Sequence, residues 1–235
     1  IFYLVTTALL SLIAIYLAHS EGALIGIAAG LFFLALFFSK KSAIITLVFA
    51  LFLALIIFNQ PASKAYALEK ITLSDLSGEI RKQQWRETIK MLKDNIFWGA
   101  GLANYQAKIL PYHQMGIFFN FAKDPDFERK IVIFNEKYKT DHWQPTEIYL
   151  YPHNIILNFW SELGLMGLLI FIWIFILFFR LGFALKKTER LMALGLMSAM
   201  IVLIVHGLVD VPYFKNDLAI LFWLILALIS FLKFK

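Results

Sequence analysis

His153 heads the run Tyr151-Pro152-His153-Asn154, which leads from a polar stretch into a strongly apolar one. An imidazole with a pKa near about 6.5 can take a proton from an attacking hydroxyl at neutral pH. Pro152 suits the first turn of a helix and biases Tyr151 away from one. If a helix continues from there, Asn154, Asn158, Ser161 and Glu162 recur at i, i+4 and i+7/i+8 as one polar stripe on an apolar cylinder. Polar groups at membrane depth are costly unless they face a bundle interior or a wet cavity. The stripe therefore marks the lip of a membrane-embedded site. The plainer reading of His153 is a capping or hydrogen-bonding residue. Glu162 is expected to satisfy a neighbouring helix; orienting the imidazole or lining the cavity are its other uses.

A second group carries cations. Residues 78–94 are expected to form an amphipathic helix, with Trp85, Thr88, Ile89 and Leu92 on its apolar face and Lys82, Arg86, Lys90 and Lys93 on its wet face. Arg81 stands four residues before Trp85 and shares the apolar stripe, so it needs an anionic partner or must reach out to water. A planar guanidinium matches phosphate in two parallel hydrogen bonds, which makes Arg81 and Arg86 a natural clamp for a diphosphate. Pairing of Arg81 with a lipid head group or a carboxylate is the plainer use. His206 and Asp210, at i and i+4 near the outer end of an apolar segment, are candidates to face the same cavity. Two ligands do not make a metal site, and a hydrogen-bonded interfacial pair is the expectation. Asp124-Pro125-Asp126 is the nearest approach to an Asp-x-Asp metal signature, but its proline reads as a turn. Gly99-x-Gly101 follows no strand and lacks Gly-Lys-Ser/Thr, so it reads as a helix C-cap and turn.

The elements that must position these residues are membrane helices. Of 235 residues, 60% are hydrophobic and 16% are charged, against roughly 25% charged in a soluble domain. Apolar runs at about 1–18, 23–38, 43–58, 155–179, 191–209 and 218–232 approach or exceed the ~20 residues that cross a bilayer as helix. The fold class is thus an all-α polytopic membrane protein with about six transmembrane helices and one long loop containing amphipathic helices. Three helices are expected in 1–59, the loop in 60–152 and three helices in 153–235. Within the loop, 123–138 reads as a surface helix of mixed charge. Lys40 and Lys41, the Arg180 to Arg190 group with Lys186 and Lys187, and Lys233 with Lys235 all fall on one side if six helices alternate. That side is then cytoplasmic, as are both ends of the chain. His19 to Glu21, the loop, and Asp210 to Asp217 lie outside. The net charge of +6 is in part this topology signal; the mildly basic loop argues against nucleic acid and permits an anionic ligand. The absence of cysteine excludes disulfides and thiolate metal sites. The chain does not begin with Met and reads as a piece of a longer membrane protein.

Three groups of motifs together resemble the O-antigen ligase and O-antigen polymerase family of bacterial envelope glycosyltransferases. One is Arg81-x-x-x-Trp85 with Met91-Leu92-Lys93-Asp94 and Gly99-x-Gly101-Leu102-x-Asn104-Tyr105. Another is Pro152-His153-Asn154 running into Glu162-Leu163-Gly164-x-x-Gly167. The third is Ala18-His19-Ser20-Glu21-Gly22-Ala23-Leu24. The resemblance implies a GT-C-like enzyme of the bacterial inner membrane, in lipopolysaccharide or related synthesis, using neither metal nor cofactor. It implies a polyprenyl-diphosphate-linked glycan (undecaprenyl diphosphate) as donor and a lipid-linked or glycan hydroxyl as acceptor. Arg81 would hold the diphosphate and His153 would act at the acceptor. Arg86, Trp85, Asn154, Glu162, His206, Asp210 and Glu21 are the further substrate-contacting candidates. Glu21 stands where the family has an arginine, which removes one phosphate-binding cation. A transporter or flippase is the rival class, and broken helices or paired repeats are its usual mark; no repeat is visible here.

Overall fold

Ser20 opens the first long helix by accepting a hydrogen bond from Ala23 N–H at 3.3 Å, while Glu21 sits in its first turn, where a negative charge complements the helix dipole. The computed structural model describes residues 2–18, 20–133, 136–185, 189–211 and 219–234. His19, Lys186, Lys187, Asp217 and Lys235 lie outside the described residues. The chain divides into two compact units, residues 1–53 with 170–235, and residues 54–169.

The first unit contains α1 (Phe2–Leu17), α2 (Glu21–Phe38), most of α3 (Lys40–Asn59), the latter part of α9 (Ile155–Leu185), α10 (Arg190–Gly207) and α11 (Ala219–Phe234). Among these, α2, α3, α9 and α10 are long and apolar enough to cross a membrane, while α1 and α11 supply shorter apolar helices. Over the described residues the six apolar segments expected from the sequence are therefore helical, and four of these helices have spanning length. Helices α2 and α10 run antiparallel and very close. Gly22, Gly26 and Gly30, four residues apart, leave α2 bare along one stripe; a Cβ at Gly26 would stand 3.0 Å from Val202 O, and one at Gly30 2.9 Å from Ser198 O. Ser198 Oγ donates to Gly30 O at 2.7 Å. Small residues that admit such an approach are a general means of membrane helix association. At the other end of the pair Arg190 donates to Phe38 O, so Arg190 and the Lys40/Lys41 turn share one end of this unit.

The second unit holds α4 (Pro61–Ile71), α5 (Leu76–Asp94), α6 (Tyr105–Ile109), α7 (Phe127–Ile133), α8 (Glu136–His142), and the first part of α9. Helix α4 begins with Pro61 in its first turn, where a missing N–H costs nothing. Of the expected surface helix at 123–138, the described residues are helical from Phe127 to Ile133 and from Glu136, where the helix runs on to His142. A two-stranded antiparallel ladder that the sequence does not announce joins β1 (Gly116–Phe118) to β2 (Trp143–Pro145), with Ile117 opposite Gln144. It brings residues 113–118 and 143–153 back toward α5.

Candidate functional site

Helix α5 is started by Asp75, whose Oδ1 accepts from Gly78 N–H at 3.0 Å and whose Oδ2 meets Lys70 Nζ at 2.8 Å. Burial works to raise the Asp75 carboxyl, but the hydrogen bonds from Lys70, Ser77 and Gly78 outweigh it and hold the group below its ordinary value. The buried face of α5 keeps Thr88, Leu92 and the partly buried Trp85 of the expected one and departs from it elsewhere. Ile89 is 42% exposed, whereas Gln83, Gln84, Glu87 and Thr88 are buried together with Met91 and Leu92. The cause is that distant loop segments bring hydrogen-bonding partners for a polar face, so burial does not follow hydrophobicity here.

Gln84 is the centre of that face. Its Nε2 donates to Tyr151 O at 2.8 Å, and its Oε1 lies 2.9 Å from His153 Nδ1 and accepts from the His153 backbone N–H at 3.4 Å. Tyr149 meets the imidazole edge-on with ring centroids 4.8 Å apart, and Tyr151 lies 5.3 Å away at a tilt. His153 is thereby held by α5 across 69 residues of sequence. Arg81 precedes Gln84 by three residues on the same helix, which places the two side chains about 5–6 Å apart at their Cβ atoms. Arg81 is half-buried and donates to Ser77 Oγ at 3.3 Å.

Arg86 is turned about 140° around the helix from Arg81, by 100° per residue. Its Nε and Nη2 both donate to Gln83 Oε1, at 3.2 and 2.9 Å. Gln83 Nε2 in turn donates to Glu87 Oε1 at 2.8 Å, an oxygen that also accepts from Gln114 N–H at 2.9 Å. His113 Nδ1 stands 3.2 Å from Glu87 Oε2, and its Nε2 is 3.2 Å from Thr146 O. This buried carboxylate network fastens α5 to the β1–β2 region. Sequence reasoning passed over Gln83, Gln84, Glu87 and His113; the signal for the first three was a polar stripe without lysine or arginine, Gln83 and Glu87 at i and i+4 beside Gln84 and Thr88, and His113 gave none.

On α9 the expected stripe is present but each residue does something different. The helix starts at Ile155 rather than at Pro152, because Asn154 Oδ1 caps it by accepting from Ile156 and Leu157 N–H at 3.0 and 3.1 Å. Asn158 and Ser161 are buried, and Ser161 Oγ donates back to Asn158 O at 3.0 Å. Asn158 Oδ1 and Trp85 Nε1 are buried without a partner among the described residues. Trp85 packs on the cluster of Met91, Leu92, Tyr105, Ile109 and Leu157. Glu162 is half-buried, and among the described residues no hydrogen bond joins it to His153, whose Nδ1 is met by Gln84.

Two glycine motifs interlock beneath the site. Helix α9 is broken at Gly164, with φ +70° and ψ −177°. Leu165 N–H, which would otherwise close on Ser161, donates to Phe97 O at 3.2 Å, and the released Ser161 O accepts from Ala100 and Gly101 N–H at 2.5 and 3.2 Å. Trp160 Nε1 adds a bond to Ile96 O at 2.8 Å. A side chain at Gly99 would run into Ser161 O and Trp160 O, and one at Gly164 into Phe97 O. The expected C-cap and turn at 99–101 is thus a loop docked into a helix break.

The remaining candidates belong to the first unit or to the periphery. His206 is buried against Gly22 of α2, and Asp210 Oδ1 accepts from Val211 N–H at 2.7 Å; among the described residues no side-chain bond joins Asp210 to His206. The two residues are joined through the backbone instead, Asp210 N–H donating to His206 O at 3.0 Å. Glu21 stands in the first turn of α2, beside that contact. Asp124 accepts from Lys130 Nζ at 2.6 Å and Tyr138 O–H at 2.9 Å, a structural use of the Asp-Pro-Asp triplet. Among the described residues no three His, Asp or Glu side chains converge as a metal site requires.

The residues that converge on Gln84, together with both glycine motifs, fall in the stretch on which a family model matches this chain. That model describes the O-antigen ligase family and matches residues 6–172. The chain belongs to the O-antigen ligase family. As a member with four helices of membrane-spanning length among the described residues, it is a polytopic membrane protein of the ligase and polymerase type of glycosyltransferase, in polysaccharide synthesis. No curated protein and no solved structure matches the chain.

Proposed function

We propose that the protein transfers a glycan from a polyprenyl-diphosphate donor to the hydroxyl of a lipid-linked or glycan acceptor at the extracytoplasmic face of the bacterial inner membrane. The observation that carries this reading is His153, held by Gln84 one helical turn from Arg81 in a member of this family. In the proposed reaction Arg81 pairs with the diphosphate and offsets the negative charge that grows as the anomeric carbon–oxygen bond breaks. Arg86, tied to Gln83, contributes charge from the neighbouring face of α5. The acceptor oxygen attacks the anomeric carbon, His153 takes its proton, and polyprenyl diphosphate leaves. One displacement inverts the anomeric centre. The cations take the charge-neutralising part that a metal would otherwise play, so transfer is expected to persist in EDTA.

In this reading residues 60–152 form the outer loop between two groups of three membrane helices, and both ends of the chain are cytoplasmic. The shared position of Arg190 and the Lys40/Lys41 turn supports that orientation under the positive-inside rule. A flippase is the competing activity, and the break at Gly164 is a feature such proteins often have. Here the opened backbone groups are bonded to residues 97–101 instead of lining a passage, which favours the transferase. The deciding experiment reconstitutes the full-length protein in vesicles with a fluorescent polyprenyl-diphosphate oligosaccharide, candidate acceptors and EDTA. Glycan appearing on acceptor, with donor consumed, is the expected result. Donor that crosses the bilayer unchanged, with no product under any acceptor, would put the flippase in its place.

A further inference from the structure

The hydrogen bonds of Gln84 determine which nitrogen of His153 can act. The carbonyl of Tyr151 only accepts, so the group of Gln84 that meets it at 2.8 Å is the amide Nε2. Gln84 Oε1 therefore faces His153, and an amide oxygen also only accepts. The ring nitrogen 2.9 Å from it, Nδ1, must carry the hydrogen. In a neutral imidazole the lone pair then resides on Nε2. The amide cannot easily rotate to the opposite arrangement. Gln84 is 6% exposed, and a rotated amide would set Nε2 against the His153 backbone N–H and Oε1 against the Tyr151 carbonyl. The helix under it is braced by Thr88, whose Oγ1 donates to Gln84 O at 2.8 Å and pairs with the buried Tyr105 hydroxyl at 2.7 Å.

We infer that Gln84 is the positioning residue of the transfer reaction: it holds His153 as the Nδ1–H tautomer and so assigns proton abstraction to Nε2. This rests on His153 being the base in the reaction proposed above. The acceptor hydroxyl proton moves to Nε2 as its oxygen bonds to the anomeric carbon, and the Nδ1–H bond to Gln84 is kept throughout. The partner is a neutral amide where other histidine bases use a carboxylate. An amide orients the ring without adding a negative charge that would favour the imidazolium.

The test uses the full-length protein in vesicles, with transfer measured from pH 5 to 9 for wild type, Gln84→Leu, Gln84→Glu and His153→Ala. Removing an orienting partner of this kind is expected to lower kcat about 10- to 100-fold, with donor KM changed less than about threefold. Gln84→Glu restores an acceptor for Nδ1–H and adds a charge, so the acidic limb of its pH profile moves to higher pH. Nitrogen-15 spectra of histidine-labelled wild type, with the His153→Ala spectrum subtracted, should show the Nδ1–H form. A wild-type kcat and pH profile in Gln84→Leu, or the Nε2–H form in wild type, would overturn the inference. Full activity in His153→Ala would instead remove the base itself, while its loss alongside an unaffected Gln84→Leu removes only the role given to Gln84. If Gln84→Leu does not fold, the wild-type spectrum and the Gln84→Glu profile still decide.

Discussion

Replacing Gly164 with alanine tests whether the broken helix and the docked loop hold the second unit together. The Gly164 backbone, at φ +70° and ψ −177°, lies where essentially only glycine is found, and forcing a side chain there costs about 1–3 kcal/mol. The added Cβ also runs into Phe97 O, so the loop must withdraw. Withdrawal endangers three backbone bonds, Leu165 N–H to Phe97 O and Ala100 and Gly101 N–H to Ser161 O. At about 1 kcal/mol each, and with partial relaxation, the total is roughly 3–5 kcal/mol. Gly195 on α10 is the control, since a Cβ there meets nothing within 4 Å; Gly195→Ala is expected to be neutral or to stabilise by up to about 1 kcal/mol. Both variants would be unfolded by denaturant in the same detergent, with glycan transfer measured alongside. A Gly164→Ala loss below about 1 kcal/mol would refute the interlock.

Two further outcomes follow from the second unit. Glu87 accepts from Gln83 and Gln114, faces His113, and is 3% exposed, so Glu87→Ala strands buried donors and should destabilise by about 3–5 kcal/mol in denaturant unfolding; a loss under about 1 kcal/mol would show the network to be incidental. The hydrogen bond from Lys130, with those from Asp126 N–H and Tyr138, holds the Asp124 carboxyl down at about 2, from an ordinary 3.8. Because the folded value is the lower one, its contribution is present above about pH 4 and is lost as pH falls through about 2. Hydrogen exchange of α7 and α8 between pH 5 and 1.5 should record that loss in wild type and not in Asp124→Asn; identical acid sensitivity would contradict it.

Different parts of this protein were legible in the sequence to different degrees, for physical reasons. Membrane helices announce themselves because about 20 apolar residues in a row have few other uses. Helix α5 was legible in its extent through its amphipathic charge pattern, but the burial of its polar residues was not. Gln83, Gln84 and Glu87 are buried because residues 113–114 and 151–153 meet them, and those pairings span 26 to 69 positions. The strands at 116–118 and 143–145, three residues each, are too short to show an alternating pattern. Gly99 and Gly164 stood out as motif glycines, yet only the fold reveals that one motif docks into the other. Asn154 carried the right chemistry for a site and spends its side-chain oxygen on capping. The close α2–α10 contact lay in plain view as Gly22, Gly26 and Gly30 at fourfold spacing, a periodicity of small residues that a search for polar chemistry passes over.

The central claim is that His153 removes the acceptor proton while Arg81 holds the diphosphate, and single-turnover transfer separates the two roles. The full-length protein would be loaded with polyprenyl-diphosphate oligosaccharide, then mixed with acceptor, for wild type, His153→Ala and Arg81→Ala. His153→Ala should bind donor within about twofold of wild type and transfer it about 10²–10⁴ times more slowly, and Arg81→Ala should lose donor affinity as well as rate. Transfer by His153→Ala within about threefold of wild type, at saturating donor and acceptor, would contradict the account.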